Sequence, residues 1–139
     1  MTTLKEAFAI TMSLIDELNE NGEAETLSNR DFEHRAPGIV AVLLGELYPY
    51  SDTYASPTAG KRAICPPIAG FDDALPLDDF LSRSVLPCAL AARLMLDENP
   101  AVAAYYERRY MELLGKYGTM HAATPEPIAD VYGGLRICR

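Results

Sequence analysis

The sequence predicts an all-α protein, a small bundle of about four helices. Two observations favour this fold. Four segments place apolar residues three and four positions apart, which is the spacing of one helix face. Residues typical of helix termini, such as Asn, Thr, Pro and Gly, stand at the ends of these segments. The length of 139 residues is that of one domain, and we assign residues 1–118 to the bundle and residues 119–139 to a C-terminal arm.

The first helix is predicted from about Leu4 to Asn21. Thr3 and Glu6 form a capping box, in which each side chain accepts a hydrogen bond from the other residue's backbone N–H. Gly22 follows, at a position where helices often turn left-handed. The apolar face consists of Leu4, Phe8, Met12, Ile15 and Leu18.

The second helix is predicted from about Arg30 to Tyr48, with Ser28 or Asn29 as its N-cap. Pro37 lies inside it. Because proline lacks an N–H and clashes with the preceding turn, we expect a kink or a break near Arg35–Pro37. The apolar face consists of Phe32, Ala36, Ile39, Leu43 and Leu47.

Residues 49–74 show no helical period and are interrupted by prolines and glycines. A loop of this length is uncommon in a compact domain unless it has a function or is disordered. Aromatic and aliphatic residues are scattered through it, which is not typical of disorder. We therefore expect this segment to order against another molecule, and a short hairpin is an alternative.

The third helix is predicted from about Leu77 to Glu98, where Asp78 and Asp79 suit the positive end of the helix dipole. Pro87 predicts a kink. Apolar residues cover most of the circumference of this helix. Such a helix is buried on most sides, and the amount exceeds what one small bundle needs. The sequence thus predicts apolar surface left over for a partner.

The fourth helix is predicted from about Ala101 to Tyr117, with Asn99 as N-cap, Pro100 at the first position and Gly118 at the end. Its connection to the third helix is very short, so the two should form an antiparallel hairpin. Residues 119–139 contain two prolines and several apolar residues but are too short for a core of their own. They are predicted to fray or to reach a neighbour as an arm.

Charge and composition limit the possible functions. Twenty acidic and 12 basic residues give a net charge of −8. Such a surface repels phosphate backbones over a Debye length of about 8–10 Å, which argues against general nucleic-acid binding and suits a surface that DNA slides past. Three widely spaced cysteines favour a reduced, cytoplasmic chain. We expect no signal peptide, because the first segment lacks an uncharged core and a basic lead. We expect no membrane span, because no apolar run approaches about 18 residues.

The residue patterns predict no catalytic site, no cofactor and no metal. His34 and His121 lie in no metal-ligand spacing, and Cys88 is interpreted as a buried structural thiol. The acids Asp72, Asp73, Asp78 and Asp79 offer the oxygen ligands that Mg²⁺ and Ca²⁺ take. Their spacing matches no EF-hand, so helix N-terminal charge is the preferred interpretation, and a metal-dependent hydrolase is the alternative. The tyrosines at positions 105, 106, 110 and 117 indicate core or interface.

Two stretches carry a family resemblance. One is DFEHRAPGIVAVLLGEL, residues 31–47, and the other spans residues 64–114. The second contains PP, DDALPL, VLPCALAARLMLDENP and YYERRYMEL in that order. Together they resemble the head–tail connector (adaptor, or neck) proteins of tailed bacteriophages and the hypothetical prophage proteins of Gram-positive genomes that sit beside them. The resemblance covers about half of the chain and rests on apolar and proline placement.

The resemblance implies a small helical bundle, many copies of which form a ring between the portal protein and the tail-side neck proteins of a virion. A dodecameric ring that matches the portal is expected, assembled in the host cytoplasm, with DNA passing through it without sequence-specific binding. Loops and arms make the contacts in that family. The corresponding candidates in this chain are Tyr50, Tyr54, Lys61 and Arg62 in the loop, and Ile128, Val131, Tyr132 and Leu135 in the tail. The alternative is a small helical regulatory or adaptor module that acts as a dimer.

Overall fold

The computed structural model describes residues 1–15, 29–54, 61 and 64–120, without the side chains of residues 118–120. In this part the chain is all-α, which confirms the predicted fold class. Its four α-helices are α1 (Leu4–Leu14), α2 (Arg30–Leu47), α3 (Leu86–Leu94) and α4 (Pro100–Met120). A 3₁₀ turn (Tyr48–Tyr50) follows α2, and a π-helical turn (Leu81–Val85) precedes α3. The described residues form no strand, only an isolated antiparallel bridge between Thr3 and Ala74.

Helix α3 is the centre of the bundle. All of its residues except Arg93 are buried, because α1, α2 and α4 each pack against it. The sequence-based expectation that this helix leaves apolar surface for a partner is therefore wrong. One copy of the chain covers α3 on three sides, and the short α3–α4 connection places these two helices antiparallel as predicted.

Helix α1 begins as predicted and ends early. The capping box is present, with the Thr3 N–H donating to Glu6 Oε2 at 3.0 Å and the Glu6 N–H donating to Thr3 Oγ1 at 3.3 Å. The predicted end at Asn21 is wrong, since the helix ends at Leu14 with Ile15 as C-cap. The Tyr106 hydroxyl of α4 donates to the Leu14 carbonyl at 2.5 Å, so α4 contacts α1 at its last residue. Residues 16–21 lie outside the described part.

Helix α2 runs unbroken through Pro37, so the chain does not break there. A single proline removes one backbone hydrogen bond, while the buried face continues on both sides of it. This face consists of Phe32, Ala36, Val40, Leu43, Leu44 and Leu47. Asn29 occupies the N-cap position, but its side chain makes no capping hydrogen bond.

The predicted third helix is not one regular helix from Leu77 to Glu98. The π-turn before α3 is closed by the Leu86 N–H donating to the Leu81 carbonyl five residues earlier. Pro87 has no N–H, and its ring clashes with the carbonyl four residues before it in an ideal α-helix. The wider turn gives that ring room, so the predicted irregularity at Pro87 takes the form of a π-turn. The helix ends at Leu94, and Met95–Glu98 form turns.

Helix α4 begins at Pro100, and Asn99 Oδ1 accepts the Val102 N–H at 3.3 Å, as the N-cap prediction requires. Its predicted end at Gly118 is wrong, because the helix continues to Met120. Gly115 and Gly118 cost helix propensity, but packing of the long face of α4 on α3 outweighs that cost. The first two residues of the predicted arm 119–139 thus belong to α4, and residues 121–139 lie outside the described part.

The described portions of the 49–74 loop pack on the chain itself. Phe71 stacks edge-on against Phe8 with ring centroids 5.4 Å apart. The Leu4 N–H donates to the Asp73 carbonyl at 3.1 Å, and the Leu75 N–H donates to the Thr2 carbonyl at 2.8 Å. The expectation that this segment orders against another molecule is wrong for these residues, because the backbone at the start of α1 supplies their partners.

Burial of α3 predicts the largest loss of stability for its central leucines. Leu90→Ala removes a side chain that is fully buried, and we expect it to lower the free energy of unfolding by about 2–5 kcal/mol. Urea unfolding followed by circular dichroism measures the effect. Leu96→Ala is the matched control, because Leu96 is exposed just beyond the end of α3. Equal losses in the two variants would contradict the central position of α3.

Candidate functional site

The bundle has two distinct ends, which are defined by the directions of its helices. Asp78, just before the π-turn, meets Ser51 after α2 and Tyr117 near the end of α4. At the other end, Tyr106 in the first half of α4 meets the last residue of α1, and Arg35 near the start of α2 lies 4.0 Å from Asp97. Helices α2 and α4 therefore run antiparallel to α3, while α1 runs parallel to it.

At the first end, residues 50–54 form what we call the tyrosine turn. Its two aromatic side chains are exposed, Tyr50 by 49% and Tyr54 by 41%. The Tyr48 hydroxyl donates to the Thr53 carbonyl at 3.3 Å, and the Thr53 hydroxyl donates to the Pro76 carbonyl at 2.7 Å. These bonds hold the turn against the bundle, so the two exposed tyrosines project from a fixed backbone.

The Asp78 carboxylate joins the tyrosine turn to two helices. Its Oδ2 accepts the Ser51 hydroxyl at 3.2 Å, the Asp52 N–H at 3.2 Å and the Tyr117 hydroxyl at 2.5 Å. Its Oδ1 accepts the Leu81 N–H at 3.0 Å and thereby caps the helical segment that starts at Asp79. One side chain thus fixes the turn, the start of the α3 segment and the end of α4.

This network shifts the acidity of both partners. Partial burial raises the pKa of Asp78, but the hydrogen bonds from Tyr117, the Leu81 and Asp52 backbone and Ser51 outweigh burial and lower it below the ordinary value. Burial, followed by the hydrogen bond and the charge of Asp78, raises the pKa of Tyr117. Tyr117 also stacks on Phe80 at 5.1 Å between ring centroids. The carboxylate is therefore ionised and the phenol protonated at neutral pH.

The four clustered acids do not converge on one point. Asp73 Oδ2 accepts the Ala69 N–H at 2.6 Å and the Gly70 N–H at 3.0 Å, and Asp79 accepts the Thr2 hydroxyl at 3.2 Å. Asp72 is exposed. Within the described ranges, no group of three or more His, Cys, Asp and Glu side chains lies close enough to hold a metal ion. Asp73, Asp78 and Asp79 thus serve different backbone or hydroxyl donors, and Asp72 serves none among the described residues.

At the second end lies an open groove of about 490 Å³, which we call the end groove. The ends of α1 and α3 and the start of α4 form it. Its lining residues are Leu14, Ile15, Met95, Asn99, Ala101, Val102, Tyr105 and Tyr106. Tyr105 is 56% exposed and meets Tyr106 edge-on at 5.1 Å between centroids. The sequence predicted that the tyrosines of α4 lie in the core or at an interface. It did not predict that Tyr105 and Tyr106 line a groove together with the end of α1, because that depends on tertiary contacts.

The structure describes only three of the eight predicted contact residues. Tyr50 and Tyr54 lie together on the tyrosine turn, and Lys61 is exposed. Arg62 lies outside the described part, as do all four predicted contacts in the tail, Ile128, Val131, Tyr132 and Leu135. Sequence reasoning did not identify the end groove.

Three further side chains that could take part in chemistry, those of His34, Cys88 and Tyr110, occupy ordinary surface or core positions. His34 is exposed on α2. Cys88 is buried in α3, and burial raises the pKa of its thiol while the Arg109 charge opposes that shift. Burial, with a contribution from Glu46, raises the pKa of Tyr110 to about 12, and its hydroxyl lies 3.4 Å from Glu46 Oε2. Cys88 and Tyr110 therefore serve packing and helix–helix contact.

Comparison with protein-family models, with curated proteins and with solved structures finds no match to this chain. None of the helices that the structure describes combines the length and the apolar character needed to cross a membrane. The candidate functional features are two surfaces, one at each end of the bundle. They are the tyrosine turn and the end groove.

The Asp78 network predicts a pH-dependent contribution to stability. Tyr117→Phe removes one hydrogen bond to a charged acceptor, and we expect it to lower the free energy of unfolding by about 1–2 kcal/mol at neutral pH. The folded pKa of Asp78 lies below its unfolded value, so the stabilisation is complete above the unfolded pKa and is lost as pH falls through the folded one. The difference between the two proteins should therefore shrink below about pH 4.

Urea unfolding at a series of pH values measures this difference. Tyr105→Phe is the control, because Tyr105 is exposed and its hydroxyl has no hydrogen bond among the described residues. If the difference in free energy of unfolding between wild type and Tyr117→Phe grows on acidification, the Asp78 carboxylate does not stabilise this hydrogen-bond network.

Proposed function

We propose that this protein is a structural adaptor that binds other proteins at both ends of its bundle, and specifically a head–tail connector subunit of a tailed-bacteriophage virion. One observation supports binding at both ends of the bundle. Exposed tyrosines lie at one end and an open apolar groove lies at the opposite end, while the core between them is closed around α3.

The two surfaces are well separated along α4. Val102 lines the end groove and Tyr117 holds the tyrosine turn through Asp78, and at about 1.5 Å per residue these positions are roughly 22 Å apart. Tyrosines and apolar residues are the side chains that protein interfaces favour. Two partners can therefore bind at the same time without competing for the same residues.

The Asp78 network favours binding by the tyrosine turn. A surface that is already ordered loses less conformational entropy when it binds than a loop that must first be ordered. Asp78, Ser51 and Thr53 fix the backbone on which Tyr50 and Tyr54 stand. The turn is thus suited to be a preorganised contact rather than a free loop.

The connector proposal rests on the resemblance of residues 31–47 and 64–114. In that role the subunits form a ring in the virion neck, with the portal protein on one side and tail-side neck proteins on the other. The net charge of −8 suits a ring whose lumen DNA traverses without sticking. Neighbouring copies in a ring meet through two different faces, which leaves both ends of each bundle available for other proteins.

Co-expression with the portal protein of the same phage or prophage tests this function. We expect the two proteins to co-purify and electron microscopy to show a ring of this chain on the portal. Tyr50→Ala combined with Tyr54→Ala should weaken that complex about tenfold or more, because aromatic anchors dominate interface energy. Val42→Ala is the control, since Val42 is exposed on α2 and belongs to neither the tyrosine turn nor the end groove.

The portal and the tail-side proteins are tested separately, because the tyrosine turn and the end groove bind different partners in this proposal. Failure to bind the portal or any tail-side neck protein of that genome would contradict the connector function. Binding of both partners that survives the tyrosine substitutions and also a charge placed in the end groove, such as Val102→Asp, would contradict the use of the two ends.

A second candidate function is a helical regulatory or adaptor module that acts as a dimer. The observation that favours it is the exposed side of α4, where Tyr105 and Met111 stand in solvent beside charged residues of both signs. Light scattering of the purified chain below about 1 μM separates the two candidates, because only a dimer that persists at such low concentration without a portal favours the module.

A further inference from the structure

The outward side of α4 is a helix face without a partner among the described residues. Ala103, Tyr110 and Tyr117 bury the inward side of the helix. On the outward side, Tyr105 is 56% exposed and Met111 is 58% exposed. We call this side the outer face of α4, and it consists of Ala101, Ala104, Tyr105, Arg108, Met111, Glu112 and Gly115, all of them exposed.

Arg108 lies at the centre of the outer face. Its neighbours on α4 are paired, Arg109 with Glu112 at 3.3 Å and Glu107 with Arg93 at 2.8 Å. Arg108 makes no hydrogen bond or ion pair with any residue in the part of the chain that the structure describes. An unpaired surface arginine is ordinary by itself, but here it stands between two large exposed apolar side chains.

We propose that the outer face of α4 binds the same face of a second copy of this chain, with the two helices antiparallel about a two-fold axis at the level of position 110. In this register Arg108 faces Glu112 of the second copy and Glu112 faces Arg108 of the second copy. Tyr105 faces Gly115 of the second copy in the same way. Each contact occurs twice because the interface is symmetric.

Size complementarity supports this register. Apart from the adjoining residues and backbone of α4 itself, no described atom lies within 4 Å of the position that a Cβ of Gly115 would occupy, so the surface at Gly115 is open to an incoming side chain. Glycine inside an exposed helix costs about 1 kcal/mol relative to alanine, and nothing within the described chain requires it at this position. A tyrosine ring of the second copy fits against such a flat site.

Charge complementarity selects a second copy as the occupant. With 20 acidic and 12 basic residues, two copies repel each other over most of their surfaces. The outer face is an exception, because Arg108 and Arg109 precede Glu112 by one helical turn. An antiparallel arrangement turns that order into two opposite-charge contacts across the axis.

The proposed dimer interface is small, so we expect the dimer to be weak. A single pair of helix faces buries less than about 1,200 Å² in total, the range of weak and transient interfaces. We expect a dissociation constant between about 1 μM and 1 mM. A two-fold contact joins two copies and closes no larger ring, so this dimer is a form of the free chain and does not rest on the connector function.

Charge reversal with compensation tests the proposal. Sedimentation equilibrium of the full chain up to about millimolar concentration should show a monomer–dimer equilibrium that weakens as salt is added. Arg108→Glu and Glu112→Arg should each weaken dimerisation about tenfold or more, because each places like charges opposite each other twice. The double variant should return to within about threefold of wild type, because it restores both opposite-charge contacts.

Two further variants keep the test independent of folding. Gly115→Leu adds a side chain where the monomer has room, so it should abolish dimerisation while circular dichroism shows a helix content at least equal to wild type. Arg30→Glu reverses an exposed arginine on α2, away from the outer face, and should leave the dissociation constant unchanged.

Several results would overturn the proposal. They are a wild-type chain that stays monomeric throughout, a double reversal that dimerises as poorly as the single ones, and a Gly115→Leu variant that dimerises normally. None of these results bears on portal binding, so failure here leaves the connector function to its own test. Loss of portal binding by the Tyr50 and Tyr54 variant likewise leaves the dimer to the experiments above.

Discussion

Burial of α3 by the other three helices is the constraint on which the rest of the structure depends. This helix contributes Leu86, Leu90 and Leu94 to the core, all completely buried, and burying each leucine is worth about 1.5–3 kcal/mol. Because one copy supplies all the neighbours of α3, the chain is closed around its core. Its exposed apolar residues are then features of the ends and outer sides of the bundle, not a core left unfinished.

The loop before α3 is held by polar contacts in addition to the apolar packing of Phe71, Leu75 and Leu77. Asp78 accepts four donors from three parts of the chain, and each bond to a charged acceptor is about twice as strong as a neutral one. The carboxylate that caps a helix thereby also positions the tyrosine turn and the end of α4. The buried centre thus supplies the stability of the bundle, while its two ends carry the surfaces that we propose to bind partners.

Local pattern predicted what depends on local physics. The capping box at Thr3 and Glu6, the N-cap at Asn99 and the helical character of all four segments follow from neighbouring residues alone. The errors arise where distant residues decide. Tyr106 hydrogen-bonds the last residue of α1 from 92 positions away, and the helices around α3 cover the apolar surface that the sequence assigned to a partner. Tyr50 and Tyr54 were predicted as contacts, whereas the end groove needs α1 and α4 to meet, which no local pattern shows.

Hydrogen exchange of the dilute, monomeric protein tests the central claim most directly. If one copy closes the bundle around α3, the backbone amides of Leu86–Leu94 exchange most slowly of all, because they open only when the whole domain unfolds. The backbone amides at the termini of α2 and α4 exchange faster. Rapid exchange of the α3 amides in the monomer, with protection gained only when copies or partners are added, would contradict the account.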